Sequence, residues 1–472
     1  MYTLIVIFII LYAVANTATL LFLVFQSAIQ EWGVRCYQET EYVRPVLKKH
    51  FRKTKANDLY IVSRSFQKIL QIELHREIQK VLDGKKIVRA SAVEIYNTNR
   101  LSDWISTPYQ REFTPLKYIE VDIGEEKPIH CLNNAFYLWH EGSVPMALLL
   151  IQEGTPPMLH VDIAVPKKYQ SGPEIERIMK RLDEACKNCE SYKHKIISFE
   201  ASKNDIDTSE TTIKVHQLRQ VSREQLILPE KTVDLLERNL LQFVEKRQRL
   251  KSLGLPTKKG LLFFGPPGTG KTHTLHYIIG QLRKEYTTFL ITAEQVENLG
   301  MYCQLARLVE PAIIVLEDVD IIAREREKVS ELMLNKLLNE MDGLTGESDL
   351  IFLLTTNRPD DLEEAIRNRP GRIDQAIEFP KPDKVGRAKL AQLYSCGIEL
   401  TTTEAEAIAV RTDGASAAFI KELLRRSTQF LLERDETSLR FETADWENAL
   451  KEMLTGSSFG VLKLGEEQKF ML

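Results

Sequence analysis

The stretch Gly260 to Leu275 reads "GLLFFGPPGTGKTHTL", and it decides the fold. Within it, Gly265, Pro266, Pro267, Gly268, Thr269, Gly270, Lys271 and Thr272 spell G-x-x-x-x-G-K-[ST], preceded by an apolar strand pattern and followed, from His273 on, by a helix pattern. The chemistry explains the residue types. Glycines let backbone N–H groups close around phosphates, and a helix N-terminus favours the anion. Lys271 is placed to reach the β- and γ-phosphates, and the Thr272 hydroxyl to coordinate magnesium. Strand, loop and helix together predict a nucleoside triphosphate site.

Outward from this loop, strands alternate with helices from Val221 to Asp383, which predicts an α/β domain: a parallel sheet with helices on both faces. Residues 384–454 carry helical periodicity and predict a small helical domain, followed by a tail at 455–472. Upstream, 57–200 reads as an α+β accessory domain. It opens with helical spacing from Tyr60 to Leu82. Short strands follow at "LKYIEVDI", "KPIHCL", "AFYLWHE", "PMALLLIQEG" and "MLHVDIAVP", then a helix at "SGPEIERIMKRLDEA" with Ser171 as its cap, then a strand at "KIISFE". Residues 201–220, polar at their start, predict a linker.

Thr3 to Phe25 is an uncharged run of 23 residues, about 34 Å long as a helix and enough to span a bilayer. A cleaved signal peptide is the alternative, disfavoured because no Lys or Arg precedes the run. Arg44, Lys48, Lys49, Arg52, Lys53 and Lys55 crowd one 12-residue stretch of the linker 26–56, with no acid among them. The expected topology is therefore single-pass, with the C-terminal part facing the cytoplasm or the mitochondrial matrix. The same cations suit anionic lipid heads, or simply a solvated face. A net charge of −3 argues against bulk nucleic-acid binding, and six irregularly spaced cysteines do not make a disulfide framework.

Further motifs follow in order: "IIVLEDVD", "NKLLNEMDGL", "TTNRPDDLEEAIRNRPGRID" and "TDGASAAFIKELLRR". With "GPPGTGKT", this set resembles the classical AAA ATPases over about Val221 to Leu454. The resemblance implies ATP with Mg2+, a homo-oligomeric ring, usually a hexamer, and mechanical work on a macromolecule. It implies that Asn357, closing "LIFLLTTN", senses the γ-phosphate. Arg369 and Arg372 in "RPGR" are then the fingers that reach a neighbour's nucleotide.

The acidic pair departs from the family order, reading Glu317-Asp318 where Asp-Glu is usual. A one-residue shift along a strand swaps every side chain's face, so register assigns the metal role to Glu317 and the catalytic-base role to Asp318. Assignment by residue type stays open, because a rotamer change exchanges reach. Asp320 shares Asp318's face if extension continues, and reads as support at the strand end.

The loop that usually carries an aromatic for gripping polypeptide has Asn298-Leu299-Gly300 instead, with Tyr302 a displaced candidate. The short helix after it, the Glu-Asp order and one N-terminal span are similar in layout to the mitochondrial translocase of folded Rieske protein. The phosphate-loop flank and the middle domain do not match that type. Cys186 and Cys189 form a C-x-x-C without a second pair, and read as helix-end cysteines. "FYLWH", Phe136 to His140, reads as a half-buried strand. "WHEGS" lacks the second His of a zinc protease motif, and little chain follows Leu454, so a membrane AAA protease is not expected. The expectation is a membrane-anchored AAA ATPase that remodels, extracts or translocates a protein client, chosen by 57–200. An ATP-gated membrane scaffold with little turnover is the alternative.

Overall fold

The computed structural model describes residues 42–455, apart from 53, 56–57, 94–99, 107–110, 155–157, 171, 202–210, 293–294, 296–298, 321–347, 360–372, 435–436 and 438. The span predicted at 3–25 lies outside the described residues, as do Lys53, Ser171, Asn298, Arg369, Arg372 and nearly all of the tail. Among the described residues no helix is long and apolar enough to cross a membrane. The chain divides into two units, residues 1–121 with 130–185, and residues 122–129 with 186–472.

The first unit holds α1 (Val43–His50), β1 (Leu59–Gln67), α2 (Gln71–Leu82), β2 (Ile87–Val93), α3 (Leu101–Ser106), β3 (Phe113–Thr114), β4 (Lys117–Val121), β5 (Ile129–Glu141), β6 (Val144–Glu153), β7 (Met158–Pro166) and most of α4 (Pro173–Asn188). Its sheet runs β1-β7-β6-β5-β2-β3, with β4 also on β5. Tyr60 to Leu82, expected as one helix, is a strand followed by a helix. β1 pairs antiparallel with β7 from Leu59↔Pro166 to Gln67↔Met158, so nine residues gain a cross-strand ladder that local spacing could not reveal. "KPIHCL" and "AFYLWHE" are likewise a single 13-residue strand, β5.

The sheet is covered on both faces. Phe136 and Leu138 pack with Val43, Leu47 and Phe51 of α1 and its flank, and with Leu101 and Trp104 of α3. Tyr137 and Trp139, which point the other way, are equally buried, and Gln79 of α2 bonds the Tyr137 hydroxyl. Arg181 of α4 pairs with Glu77 of α2 at 2.6 Å. Phe136 to Trp139 of "FYLWH" are therefore buried on two faces, and only His140 is half-buried. Each large side chain so buried is worth about 1.5–3 kcal/mol. α1, expected within the 26–56 linker, belongs to this unit through that packing. Its apolar side faces the sheet while Lys48, Lys49 and Arg52 are exposed.

The second unit holds β8 (Ile196–Ala201), β9 (Thr211–His216), α5 (Glu230–Leu236), a π-helical turn at Glu237–Leu241, α6 (Gln242–Ser252), β10 (Lys259–Phe264), α7 (Lys271–Leu282), β11 (Thr287–Ile291), α8 (Leu299–Leu308), β12 (Ala312–Leu316), β13 (Leu350–Thr356), β14 (Gln375–Glu378) and the helices α9 (Lys384–Tyr394), α10 (Thr402–Arg411), α11 (Ala417–Arg434) and α12 (Thr443–Thr455). The strand order is β14-β10-β13-β12-β11-β8-β9. All neighbours are parallel except β9, which returns antiparallel on β8. Two expectations are corrected here. "KIISFE" belongs to this sheet and not to the accessory domain, and Thr211–His216 within the expected linker is its edge strand. Parallel pairing of Thr288 and Phe289 with Ile196 and Ile197 makes the difference.

Leu261 and Phe263 of β10, Ile313 and Val315 of β12, and Ile351 and Leu353 of β13 meet Leu275, Ile278 and Ile279 of α7 in one core. Helix α9 starts at Lys384. Asp383 caps α9 by accepting from Gly386 N at 2.7 Å, and Thr401 and Glu404 form a capping box on α10. Buried Arg387 ties α9 to the Ala409 carbonyl at 3.0 Å, the Pro382 carbonyl at 2.9 Å and Asp413 at 2.6 Å.

One buried group gives the first unit a pH dependence. His50 on α1 bonds the Met146 carbonyl at 3.0 Å through Nε2 and stacks edge-on with His140. Burial pulls its pKa from 6.5 down to about 4, against that hydrogen bond. The folded pKa is the depressed one, so this contribution is fully present above pH 6.5 and is lost as pH falls toward 4. Hydrogen exchange in Val144–Glu153, corrected for intrinsic rate, should show protection falling between pH 7 and pH 4.5. His50→Gln, which can still donate to Met146, should show a clearly smaller fall; an equal fall would exclude His50 as the source.

Candidate active site

Strand β10 lies between β14 and β13, and the chain leaves it at the C-terminal edge of the parallel sheet, where crevices form. Gly265 turns the chain with φ +145°, and a Cβ there would stand 2.2 Å from the Phe379 carbonyl oxygen. Only glycine fits that approach. The loop closes on itself where Thr269 Oγ1 donates to the Pro266 carbonyl at 2.9 Å. Pro266 and Pro267 are exposed on its rim, and Gly270 leads into α7. Gly268 meets the helical domain: its carbonyl accepts from Ala418 N at 3.0 Å, and a Cβ on it would lie 2.8 Å from that of Ala418.

Lys271 is 6% exposed, and its Nζ donates to the carbonyls of Gly265 (2.7 Å) and Pro266 (3.0 Å) and to Asn357 Oδ1 (2.8 Å). Desolvation lowers its pKa, and the negative charges of Asp318 and Asp320 raise it in part. Thr272, beside it, donates from Oγ1 to Glu317 Oε2 at 2.8 Å. His273, one residue further along α7, has its imidazole held below 6.5. Desolvation is the main cause, His276, Lys421 and Arg219 add to it, and a backbone bond at Gln225 opposes it.

β12 ends at Leu316. Glu317 and Asp318 lie just past it, and the expected extension to Asp320 does not occur. Asp318 has φ +52°, a left-handed turn that breaks the alternation of faces. Asn357 Nδ2 donates to Asp318 Oδ1 at 3.0 Å, while the Asp318 amide donates to Thr355 Oγ1 at 2.9 Å. Asp320 is buried and accepts at Oδ1 from Thr356 Oγ1 (3.2 Å) and from the Asn357 amide (3.0 Å). Thus Lys271, Thr272, Glu317, Asp318 and Asn357 converge on one edge of the sheet. Arg369 and Arg372 lie outside the described residues.

Tyr302 is not a pore aromatic. It is fully buried against Phe199 and Phe289, and its hydroxyl donates to Gln295 Oε1 at 3.0 Å while accepting from Phe199 N. Cys186 and Cys189 are buried at the end of α4. The sequence reading missed Thr355 and Thr356. Their signal was two hydroxyls ending the apolar run "LIFLL", because buried hydroxyls need partners.

A parallel sheet with a lysine-bearing phosphate loop, a threonine facing a carboxylate, and an asparagine from the adjacent strand defines a nucleoside triphosphatase domain. Residues 261–381 match the family model for the ATPase family associated with various cellular activities (AAA). Over 249 residues the chain is 30% identical to the ATP-dependent zinc metalloprotease FTSH of Nicotiana tabacum chloroplasts, covering 49% of this chain and 34% of that protein. It is 29% identical over 261 residues to the proteasome-activating nucleotidase of Methanothermobacter thermautotrophicus, covering 52% and 62%. Against the metalloprotease FtsH of Rubrobacter xylanophilus it is 30% identical over 246 residues, covering 48% and 37%. The chain thus spans about a third of the metalloproteases and 62% of the nucleotidase. It carries an AAA ATPase domain with FtsH and the proteasome-activating nucleotidase among its homologues.

Gly265→Ala tests the loop. The added Cβ must move the Phe379 carbonyl or bend the loop, at a strain of roughly 1–3 kcal/mol. ATP affinity, read with a fluorescent analogue, should weaken by about tenfold or more. Unchanged affinity would show that the close approach does not shape the site.

Proposed function

We propose that this chain works as a ring, usually a hexamer in its family, that couples ATP binding and hydrolysis to remodelling, extraction or translocation of a protein client. The observation that carries the reading is the paired contact at the phosphate loop, Thr272 with Glu317 and Lys271 with Asn357, which in turn holds Asp318. Lys271 and the loop amides hold the phosphates. Thr272 and Glu317 offer the hard oxygen donors that suit Mg2+, which when bound offsets charge developing on the phosphates. Asp318 accepts the proton of the attacking water, and the Asn357 amide orients it, since an amide both donates and accepts. Arg369 and Arg372 complete the site of the next subunit.

A metalloprotease and a proteasome-activating nucleotidase, as the relatives are named, both act in protein turnover, which supports a protein client over a nucleic acid. The uncharged run at 3–25 supports a single-pass anchor, with the ATPase domain in the cytoplasm or the mitochondrial matrix. The first unit is then the part that selects the client.

The test is Asp318→Asn, expressed in its native membrane. It should keep ATP affinity, lose turnover by about a hundredfold or more, and retain a few proteins with ATP that an ADP control releases. Normal turnover would sink the assignment of Asp318. Lost turnover without any ATP-dependent partner would favour a nucleotide-gated scaffold, the reading to which burial of Tyr302 lends weight.

A further inference from the structure

In an extended strand, residues 317 and 318 would point to opposite faces of the sheet. Here both carboxylates serve the same edge, Glu317 on Thr272 and Asp318 on Asn357. The backbone provides the reason. At φ +52°, residue 318 occupies the left-handed region. Side chains with a Cβ rarely adopt it, and Asn and Asp are the non-glycine residues that do so most readily. Glu, the usual second acid of the motif, lacks that tolerance.

Two buried groups fasten the turn to β13, one on that strand and one just past the turn. Thr355, 1% exposed, accepts the Asp318 amide at Oγ1. Asp320, 4% exposed, takes the Asn357 amide and the Thr356 hydroxyl on one oxygen. The first bond fixes the backbone of residue 318. The second fixes Asn357, whose side chain joins the Asp318 carboxylate to Lys271.

We propose that Thr355 and Asp320 are positioning residues for the catalytic carboxylate, and that the left-handed turn they clamp selects aspartate at position 318. The inverted Glu-Asp order is then a consequence of backbone conformation, and the aspartate is the residue that works there. This rests on Asp318 being the catalytic base.

Steady-state ATPase assays on the full chain, paired with fluorescent-nucleotide binding, test the proposal. Thr355→Val keeps the shape and removes the acceptor. It should lower kcat by about tenfold while KM and ATP affinity stay within about twofold. Thr355→Ser, which restores the acceptor, should recover most of the rate, and Asp320→Leu, which removes the oxygen that takes both bonds, should behave like Thr355→Val. Asp318→Glu, though it supplies the family's usual acid, should turn over more slowly than wild type. The proposal is overturned if Thr355→Val keeps its kcat, if it loses affinity in step with rate, or if Asp318→Glu matches wild type. Asp318→Asn separates the two failures. If that variant is inactive while Thr355→Val is normal, only the positioning idea falls; if it hydrolyses ATP normally, the catalytic reading falls first and takes this one with it.

Discussion

A lysine ammonium withdrawn from water has to be surrounded by oxygen, and the C-terminal edge of the second sheet is arranged around that need. Lys271 is buried, and leaving such a charge without partners would cost several kcal/mol. Two of its oxygens come from its own loop, the carbonyls of Gly265 and Pro266, and the third from Asn357 after the neighbouring strand. These partners are neutral; the formal charge nearby belongs to Asp318 and Asp320, which raise a pKa that desolvation lowers. An anionic phosphate is a stronger partner than a carbonyl. The loop therefore holds its lysine with contacts that a nucleotide can outcompete, and the strand order β14-β10-β13 supplies both flanks of the cradle.

The parts legible in sequence are those whose conformation is set locally. The phosphate loop announces itself because glycine is required where the chain meets Phe379. The helical domain is visible because 3.6-residue spacing persists from Lys384 onward and its caps are encoded in Asp383 and Thr401. Elements set by distant pairing were misread. Leu59–Gln67 carries apolar residues at spacings that suit a helix, and only β7, about a hundred residues away, makes it a strand. "KIISFE" has the composition of a strand in either unit, and nothing local says that its partner is β11. The acidic pair poses a question of strand register in the sequence, but the strand has already ended before Asp318, where φ turns positive.

The same distinction separates the two units. In the second, polar groups converge on the sheet's edge because parallel strands all end there. In the first, the antiparallel sheet is covered on both sides, and its buried polar groups are spent on structure. Asp162 caps the start of α3 through the Leu101 amide and pairs with Arg100. Asn134 donates to the Val93 carbonyl, and Gln71 to that of Leu132. These side chains are engaged in holding the fold together.

The contacts beside Asp318 also reach β11. Glu317, whose side chain faces Thr272, donates its amide to the Ile291 carbonyl at the end of β11. From there the chain passes Thr292, whose amide donates to Gln295, and Gln295 in turn bonds the Phe199 carbonyl and the Tyr302 hydroxyl. Phe199 lies on β8, the strand added to the sheet beside β11. The short helix α8 is thereby fastened at Tyr302 to an edge hairpin, with the aromatic ring turned inward. An aromatic used as an internal rivet cannot also grip a polypeptide in a channel. Glu317 joins this assembly to the phosphate loop, because its backbone touches β11 while its carboxylate touches Thr272.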